Sequence, residues 1–232
     1  TAIRLAKAQD ELIRVVEKLG VPVVTAWNAH DLMWEEHPYD CGRPGTVGTR
    51  GGNFVIQSAD LVIILACRMN IRMISYQWEH FAKDAVKIWV EIDKNELCKP
   101  TICPDIPIHA DVKEFLCKLN KRLEVSPLCL DKMQPDWLIW CKDVNRKYPA
   151  VKPEYYESDK LNPYVFIKEF TQRLSADTTV VCGNGSACVI TFQAASIKKG
   201  QRYFTNSGCA AMGYGFPAAI GVTVEGNSKN TV

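Results

Sequence analysis

The chain has 232 residues, of which 47% are hydrophobic and 23% charged, and its formal net charge is +2. That balance suits a globular protein of one large or two small domains. It gives no electrostatic reason to expect nucleic acid or an anionic membrane surface as partner. The longest apolar runs, such as residues 61–67, are too short to cross a bilayer, and the opening Thr1-Ala2-Ile3-Arg4 reads as helix, not as a signal peptide.

Taken in order, residues 2–19 carry apolar side chains at a helical period, and Gly20 is placed to stop that helix. Residues 21–26 read as a buried strand, 27–44 as a polar loop, 45–52 as a glycine loop and 53–59 as a short helix. Residues 60–67 are apolar on both faces, as a strand of a parallel sheet would be. A helical stretch at 76–82, strands at 86–93 and 106–109, and a helix at 112–123 follow. This alternation predicts an α/β domain with a parallel sheet. Ser126, Pro127, Asp131 and Pro135 interrupt the pattern. The expected division is therefore a central domain over 1–124, a linker over 125–135 and a second domain over 136–232. In the latter, 136–147 reads as an amphipathic helix and 148–162 as irregular. Asn162 and Pro163 should cap and open a helix that runs to Leu174. The ten cysteines contain no CxxC pair, and Cys67, Cys117 and Cys182 lie in apolar segments. Buried, reduced thiols of a cytoplasmic protein are expected, and no metal at Cys98 and Cys103.

The stretch 177–221 carries the chemistry. An apolar β-branched run, Thr178 to Cys182, drops into Gly183-Asn184-Gly185-Ser186. A strand ending in such a turn exposes backbone N–H groups, and the helix after it aims its positive end at the same place, which favours an anion such as a phosphate. A second loop, 206–215, is dense in Gly and Ala and runs into a small-residue helix at 216–224, so another backbone or a planar ligand can come close.

Several segments together resemble thiamine-diphosphate enzymes of the acetolactate synthase group. They are Val21-Pro22-Val23-Val24-Thr25, Gly42 to Thr49, Ser58 to Ile63, Cys67-Arg68 with Arg72, Val90 to Asp93, His109 to Val112 and Ala211-Met212-Gly213-Tyr214-Gly215-Phe216-Pro217 up to Gly221. The resemblance runs in the same order over nearly the whole chain. It implies a central doubly wound parallel-sheet domain of nucleotide-binding type, lacking its first strand, followed by an incomplete α/β thiamine-diphosphate-binding domain.

What the resemblance implies about function is a carboligase or decarboxylase acting on a 2-oxo acid such as pyruvate, with this piece inactive alone. The alternatives are a non-catalytic nucleotide-binding or structural module of the same fold, or another lyase of the superfamily. By resemblance Asn184, Gly185, Ser186, Ala187 and Gly208 contact thiamine diphosphate. Met212 is the wedge that bends the cofactor, and the Ala210 carbonyl accepts a bond from its amine. Gly45, Arg68, Arg72, Asp93 and Asp111 lie around a pocket for FAD or another nucleotide. The Mg²⁺ ligands belong to an acidic-glycine loop past Val232, and the activating glutamate to a domain before Thr1. The resemblance further implies a cytoplasmic homodimer or homotetramer. His30, His37, His80 and His109 are expected to be structural or on the surface.

Overall fold

In a computed structural model that describes residues 2–128, 130–226 and 229–232, the helical period at the start folds as two helices. α1 (Ala2–Leu5) and α2 (Gln9–Leu19) part at Lys7, whose φ of 50° breaks the run expected over 2–19. Gly20 closes α2 in the left-handed conformation, its N–H bonded to the Val16 carbonyl. Leu12, Val15, Val16 and Leu19 are buried against Val112, Leu116 and Leu123 of a later helix.

Residues 21–26 do not form the expected strand. Their pairing is a single parallel bridge, Val23 to Asp40, supported by Val23 and Thr25 N–H groups donating to the Tyr39 and Gly42 carbonyls. Then come α3 (Arg50–Gln57), β1 (Leu61–Leu65), α4 (Ile71–Ile74), β2 (Val86–Glu91), α5 (Lys94–Leu97), β3 (Ile106–His109) and α6 (Val112–Val125). β1, β2 and β3 form a parallel sheet in that order, with Ile63 opposite Ile88 and Val90 opposite Ile108. Val62, Ile64 and Trp89 pack with Ile56, Phe81 and Leu97, while Leu65 packs with the α2 and α6 layer. Helices therefore cover the sheet on both faces, which explains why its strands are apolar throughout. The helix expected at 76–82 is only a 3₁₀ turn, Trp78–His80.

The second part contains α7 (Leu130–Met133), α8 (Pro135–Lys147), α9 (Pro163–Arg173), β4 (Thr178–Cys182), α10 (Ser186–Ala194), β5 (Arg202–Thr205), α11 (Gly215–Glu225) and β6 (Asn230–Thr231). Its sheet is parallel, in the order β5-β4-β6. Asn162 caps α9 by accepting from the Tyr164 N–H, with Pro163 at its first position, as the sequence signals.

α8 packs back over α3. Cys141, Trp137, Leu138 and Val144 meet Cys41 and Val55, and the Asn145 amide donates to the Cys41 and Cys141 carbonyls at 2.9 and 2.8 Å. Two glycines permit this approach: a Cβ at Gly42 or Gly51 would stand 2.5 Å from Asn145 Oδ1. The Cys141 hydrogen bond and burial push the Cys41 thiol far above its ordinary range. All nine described cysteines are free.

The segment 27–44, expected as a polar loop, is the seam between the two parts. Trp27 lies on Phe192, 4.7 Å between ring centres. The buried Arg43 guanidinium donates to the Phe192 and Ala195 carbonyls at 2.6 and 2.9 Å. Asp31, also buried, pairs with Arg202 at 2.5 Å and Arg4 at 3.2 Å and accepts the Tyr203 N–H. Its two arginines and the backbone donor outweigh the burial that opposes its charge, so its carboxyl sits below the usual range.

Candidate functional site

β4 is apolar because it is the middle strand of its sheet, and its chain leaves the sheet through Gly183-Asn184-Gly185. Gly185 sits at φ 63°, a conformation that favours glycine, and it begins α10 with no side-chain cap. The first amides of α10 are thus left for a ligand or water. Ser186 and Ala187 are exposed, and a Cβ built at Gly183, Gly185 or Gly208 would meet nothing within 4 Å. No acidic side chain occurs in residues 183–188 or 206–216. An uncapped helix start with open space in front of it and no nearby carboxylate on these loops fits an anionic group such as a diphosphate.

The second loop is held against the first. The Asn184 side-chain amide donates to the Ala210 carbonyl at 2.6 Å, Thr205 Oγ1 donates to the Gly183 carbonyl at 2.9 Å, and a Cβ at Gly215 would come within 3.3 Å of Gly183 N. The loop then turns through two left-handed residues, Ala210 at φ 51° and Gly213 at φ 80°. Met212 stands between them with 90% of its surface exposed. Asn184, Gly185, Ser186, Ala187, Gly208, Ala210 and Met212 therefore all belong to two adjoining loops at the carboxyl ends of parallel strands, where open α/β sheets bind their ligands. The Ala210 carbonyl, which the resemblance assigns to a cofactor amine, already takes one bond from Asn184. Its second lone pair is the one left for a ligand.

The residues expected around a nucleotide are differently engaged. Asp93 caps α5 by accepting from the Asn95 N–H, and Asp111 caps α6 by accepting from the Lys113 and Glu114 N–H groups. Both signals were in the sequence, an Asp followed three residues later by Glu96 or Glu114, which is the pattern of a helix start. Arg68 pairs with Glu96 at 2.6 Å, and Lys99 pairs with the same carboxylate at 2.9 Å. Burial raises the Glu96 carboxyl, but the two cations outweigh it and hold it low. Gly45, at φ 129°, gives close approach to the Arg72 carbonyl, 2.5 Å from a built Cβ, so its freedom serves the chain's own backbone. The Arg72 guanidinium lies over the Trp27 ring at 5.1 Å. Arg68, Asp93, Asp111 and Gly45 thus each have partners inside the chain.

Of the histidines, His30 is fully buried, with Nδ1 2.8 Å from the Trp27 carbonyl, and burial pulls its pKa down to about 4. The residues that join the two parts, Asp31, Arg43 and Arg202, carry no signal in the sequence, where each looks like an ordinary loop or strand-end charge.

Residues 1–119 match the family model described as "Thiamine pyrophosphate enzyme, central domain", and residues 183–232 match "Thiamine pyrophosphate enzyme, C-terminal TPP binding domain". The acetolactate synthase isozyme 1 large subunit of Escherichia coli (strain K12) is 30% identical over 218 residues, covering 94% of this chain and 37% of that protein. The acetolactate synthase large subunit of Corynebacterium glutamicum is 28% identical over 224 residues, covering 97% and 35%. A probable acetolactate synthase large subunit of Methanococcus aeolicus is 27% identical over 231 residues, covering 96% and 38%. The chain spans little more than a third of the length of these curated relatives. With a central-domain match on the first sheet and a cofactor-domain match that begins at the uncapped turn after β4, the chain belongs to the thiamine pyrophosphate enzyme family.

Proposed function

We propose that the two loops form the diphosphate cradle and the Met212 wedge of an acetolactate synthase-like carboligase or decarboxylase acting on a 2-oxo acid such as pyruvate. The observation that carries this reading is the uncapped start of α10 opening beside exposed Met212, with Asn184 fastening one loop to the other. Thiamine diphosphate, when bound, supplies the electron sink that decarboxylation of a 2-oxo acid requires. The protein's part is to hold and shape it. The amides of Ser186 and Ala187 would offset the diphosphate charge. Met212, unbranched and polarizable, would press on the cofactor's body, and the Ala210 carbonyl would orient a donor on it.

The finer parts of the reading rest on the same family. We divide the chain into a central unit over 1–124, a link over 125–135 and a cofactor unit over 136–232, with α8 folded back over α3. Mg²⁺ is the metal this reading pairs with the cofactor, and on the same reading the 232-residue chain by itself turns over no pyruvate. The protein works in the cytoplasm as a dimer or tetramer. The exposed apolar side chains of α11, Phe216, Ile220 and Val224, support such an assembly. No helix among the described residues is long and apolar enough to cross a membrane.

Titration of the enzyme with thiamine diphosphate, alongside pyruvate turnover, tests the assignment. Gly185→Val, which adds a branched side chain at a left-handed position inside the cradle, should weaken cofactor binding by at least about tenfold. Met212→Ala should lower kcat at saturating cofactor with little change in affinity. Loss of affinity alone, with kcat intact, would remove the wedge role.

A further inference from the structure

Loop 206–213 carries Met212, yet little of the chain packs on it. Gly208, Cys209, Ala211, Met212 and Gly213 are exposed, and a Cβ built at Gly208 or Gly213 would meet nothing within 4 Å. A loop with so little packing is placed by its hydrogen bonds. Among the described residues, two side-chain hydrogen bonds fasten it to other segments. The Asn184 amide donates to the Ala210 carbonyl at 2.6 Å, and the Ser207 hydroxyl donates to Asn28 Oδ1 at 2.8 Å. The first bond joins one cofactor loop to the other. The second crosses the seam to a residue 179 positions earlier in the chain, and the cradle and wedge leave it without a role.

Asn28 can hold a loop because its neighbours are themselves held. It lies in a short 3₁₀ turn, Trp27–Ala29. Trp27 is buried in the core of the second sheet, its ring on Phe192 and under the Arg72 guanidinium. His30 is buried beside it, its ring 5.4 Å from that of Phe192 and 5.7 Å from that of Tyr203. Both flanks of the half-buried Asn28 are thus seated in close-packed surroundings, which fixes its side chain as an acceptor. The same stretch of chain holds the cradle. Arg43 donates to carbonyls at the end of α10, and the Gln193 amide of α10 donates to the Val47 carbonyl at 2.7 Å while its oxygen accepts from Tyr164. Residues 27–48 are therefore a common frame for both loops. They fix α10 and its uncapped amides, and through Asn28 they fix the loop of Met212.

We propose that Asn28 is a positioning residue, whose bond to Ser207 sets where loop 206–213 presents Met212 beside the cradle. What Met212 meets there rests on the thiamine diphosphate reading above, whereas the tether stands on the contacts alone. Ser207 and Ala210 are pinned to two separate turns, one from each part of the chain. With both pins in place, the left-handed residues Ala210 and Gly213 turn the Met212 side chain in one direction. Without the Ser207 pin the loop pivots about Ala210, and Met212 samples a range of positions. A misplacement of about 1 Å is enough to cost a catalytic contact its effect. The cradle amides do not move with the loop, so the loss falls on turnover and not on cofactor affinity.

Backbone NMR relaxation of the 232-residue chain tests the tether without cofactor. Asn28→Leu keeps the volume and removes the acceptor, and Ser207→Ala removes the donor. In either variant the order parameters of the 208–213 amides should fall from about 0.8 to below about 0.6. The double variant should fall no further, and Ser207→Thr, which keeps the hydroxyl, should match the native chain. The Val189 amide of α10, bonded to the Gly185 carbonyl, should stay rigid throughout, which separates a released loop from an opened seam. Ser207→Ala alters only the loop, and it keeps the test open should Asn28→Leu fail to fold. In the enzyme, Asn28→Leu should lower kcat at saturating thiamine diphosphate by about fivefold, leave cofactor affinity unchanged and add nothing to Met212→Ala. Unchanged order parameters in both single variants, or effects that add in the double variant, overturn the proposal. So does a fall in cofactor affinity with kcat intact. A loosened loop together with a Met212→Ala enzyme of undiminished kcat would support the tether and overturn only the wedge role.

Discussion

His30 and Asp40 are two residues in one stretch that titrate against each other. The His30 pKa falls from 6.5 to about 4, chiefly by burial, with Arg43 adding to the effect. The folded state then binds fewer protons than the unfolded one between those values, so stability is lost as pH falls through that window, by about 3 kcal/mol. Burial pushes Asp40 the other way, from 3.8 up to about 6. Its folded form holds the proton more tightly, so stability is lost as pH rises from about 4 to 6, by a similar amount of about 3 kcal/mol. The two contributions nearly cancel each other between about pH 4 and 6. His30→Gln removes one of them. In urea unfolding the variant should gain stability relative to the native chain as pH falls from about 6 to 4, and a difference that does not change with pH would contradict the assignment. None of this could be read from sequence, because His30 and Asp40 stand in a stretch whose polar and turn residues signal a solvent loop.

At the scale of elements, the strands and capped helices were legible where one physical signal dominated. The runs at 61–65 and 86–91 are apolar on both faces, and Gly20, Asn162 and Pro163 are strong local punctuation. β5 was missed because Arg202-Tyr203-Phe204-Thr205 is short and mixed in polarity, and its strand character comes from pairing with β4. Residues 21–26 have the composition of a strand, yet a strand needs a ladder and theirs is a single bridge. The two loops at 183–186 and 206–215 are legible through their glycines and small residues, and the helix caps at Asp93 and Asp111 through the glutamate three residues after each. The α3–α8 contact depends on absent side chains. A Cβ at Gly51 would lie 2.5 Å from Asn145 Oδ1 and 2.7 Å from Asn145 Cα, so the helix backbone itself must move. Gly51→Ala should cost about 1–3 kcal/mol in denaturant unfolding, and a neutral effect would mean that α8 does not rest there.

At the scale of the molecule, Arg43 is the joint between the two sheets. Its guanidinium satisfies carbonyls at the end of α10, Phe192 and Ala195, and both are buried with it. Arg43→Ala leaves these acceptors without a partner, at a cost of about 1–3 kcal/mol each. Thermal unfolding is expected to be a single transition for the native chain and to split into two for the variant. Arg43→Lys should only partly restore the single transition, since one ammonium cannot reproduce the fork that reaches both carbonyls.

The return of α8 over α3 also bears on how the protein withstands cutting. A protease that nicks the chain between residues 126 and 134 severs the sequence without severing the particle. The C-terminal piece keeps α8 under the Cys41–Asn145 contacts and keeps β5 against Asp31. The nicked protein should elute from a sizing column at its original volume, run as two bands only after denaturation, and retain the affinity for thiamine diphosphate of the intact chain.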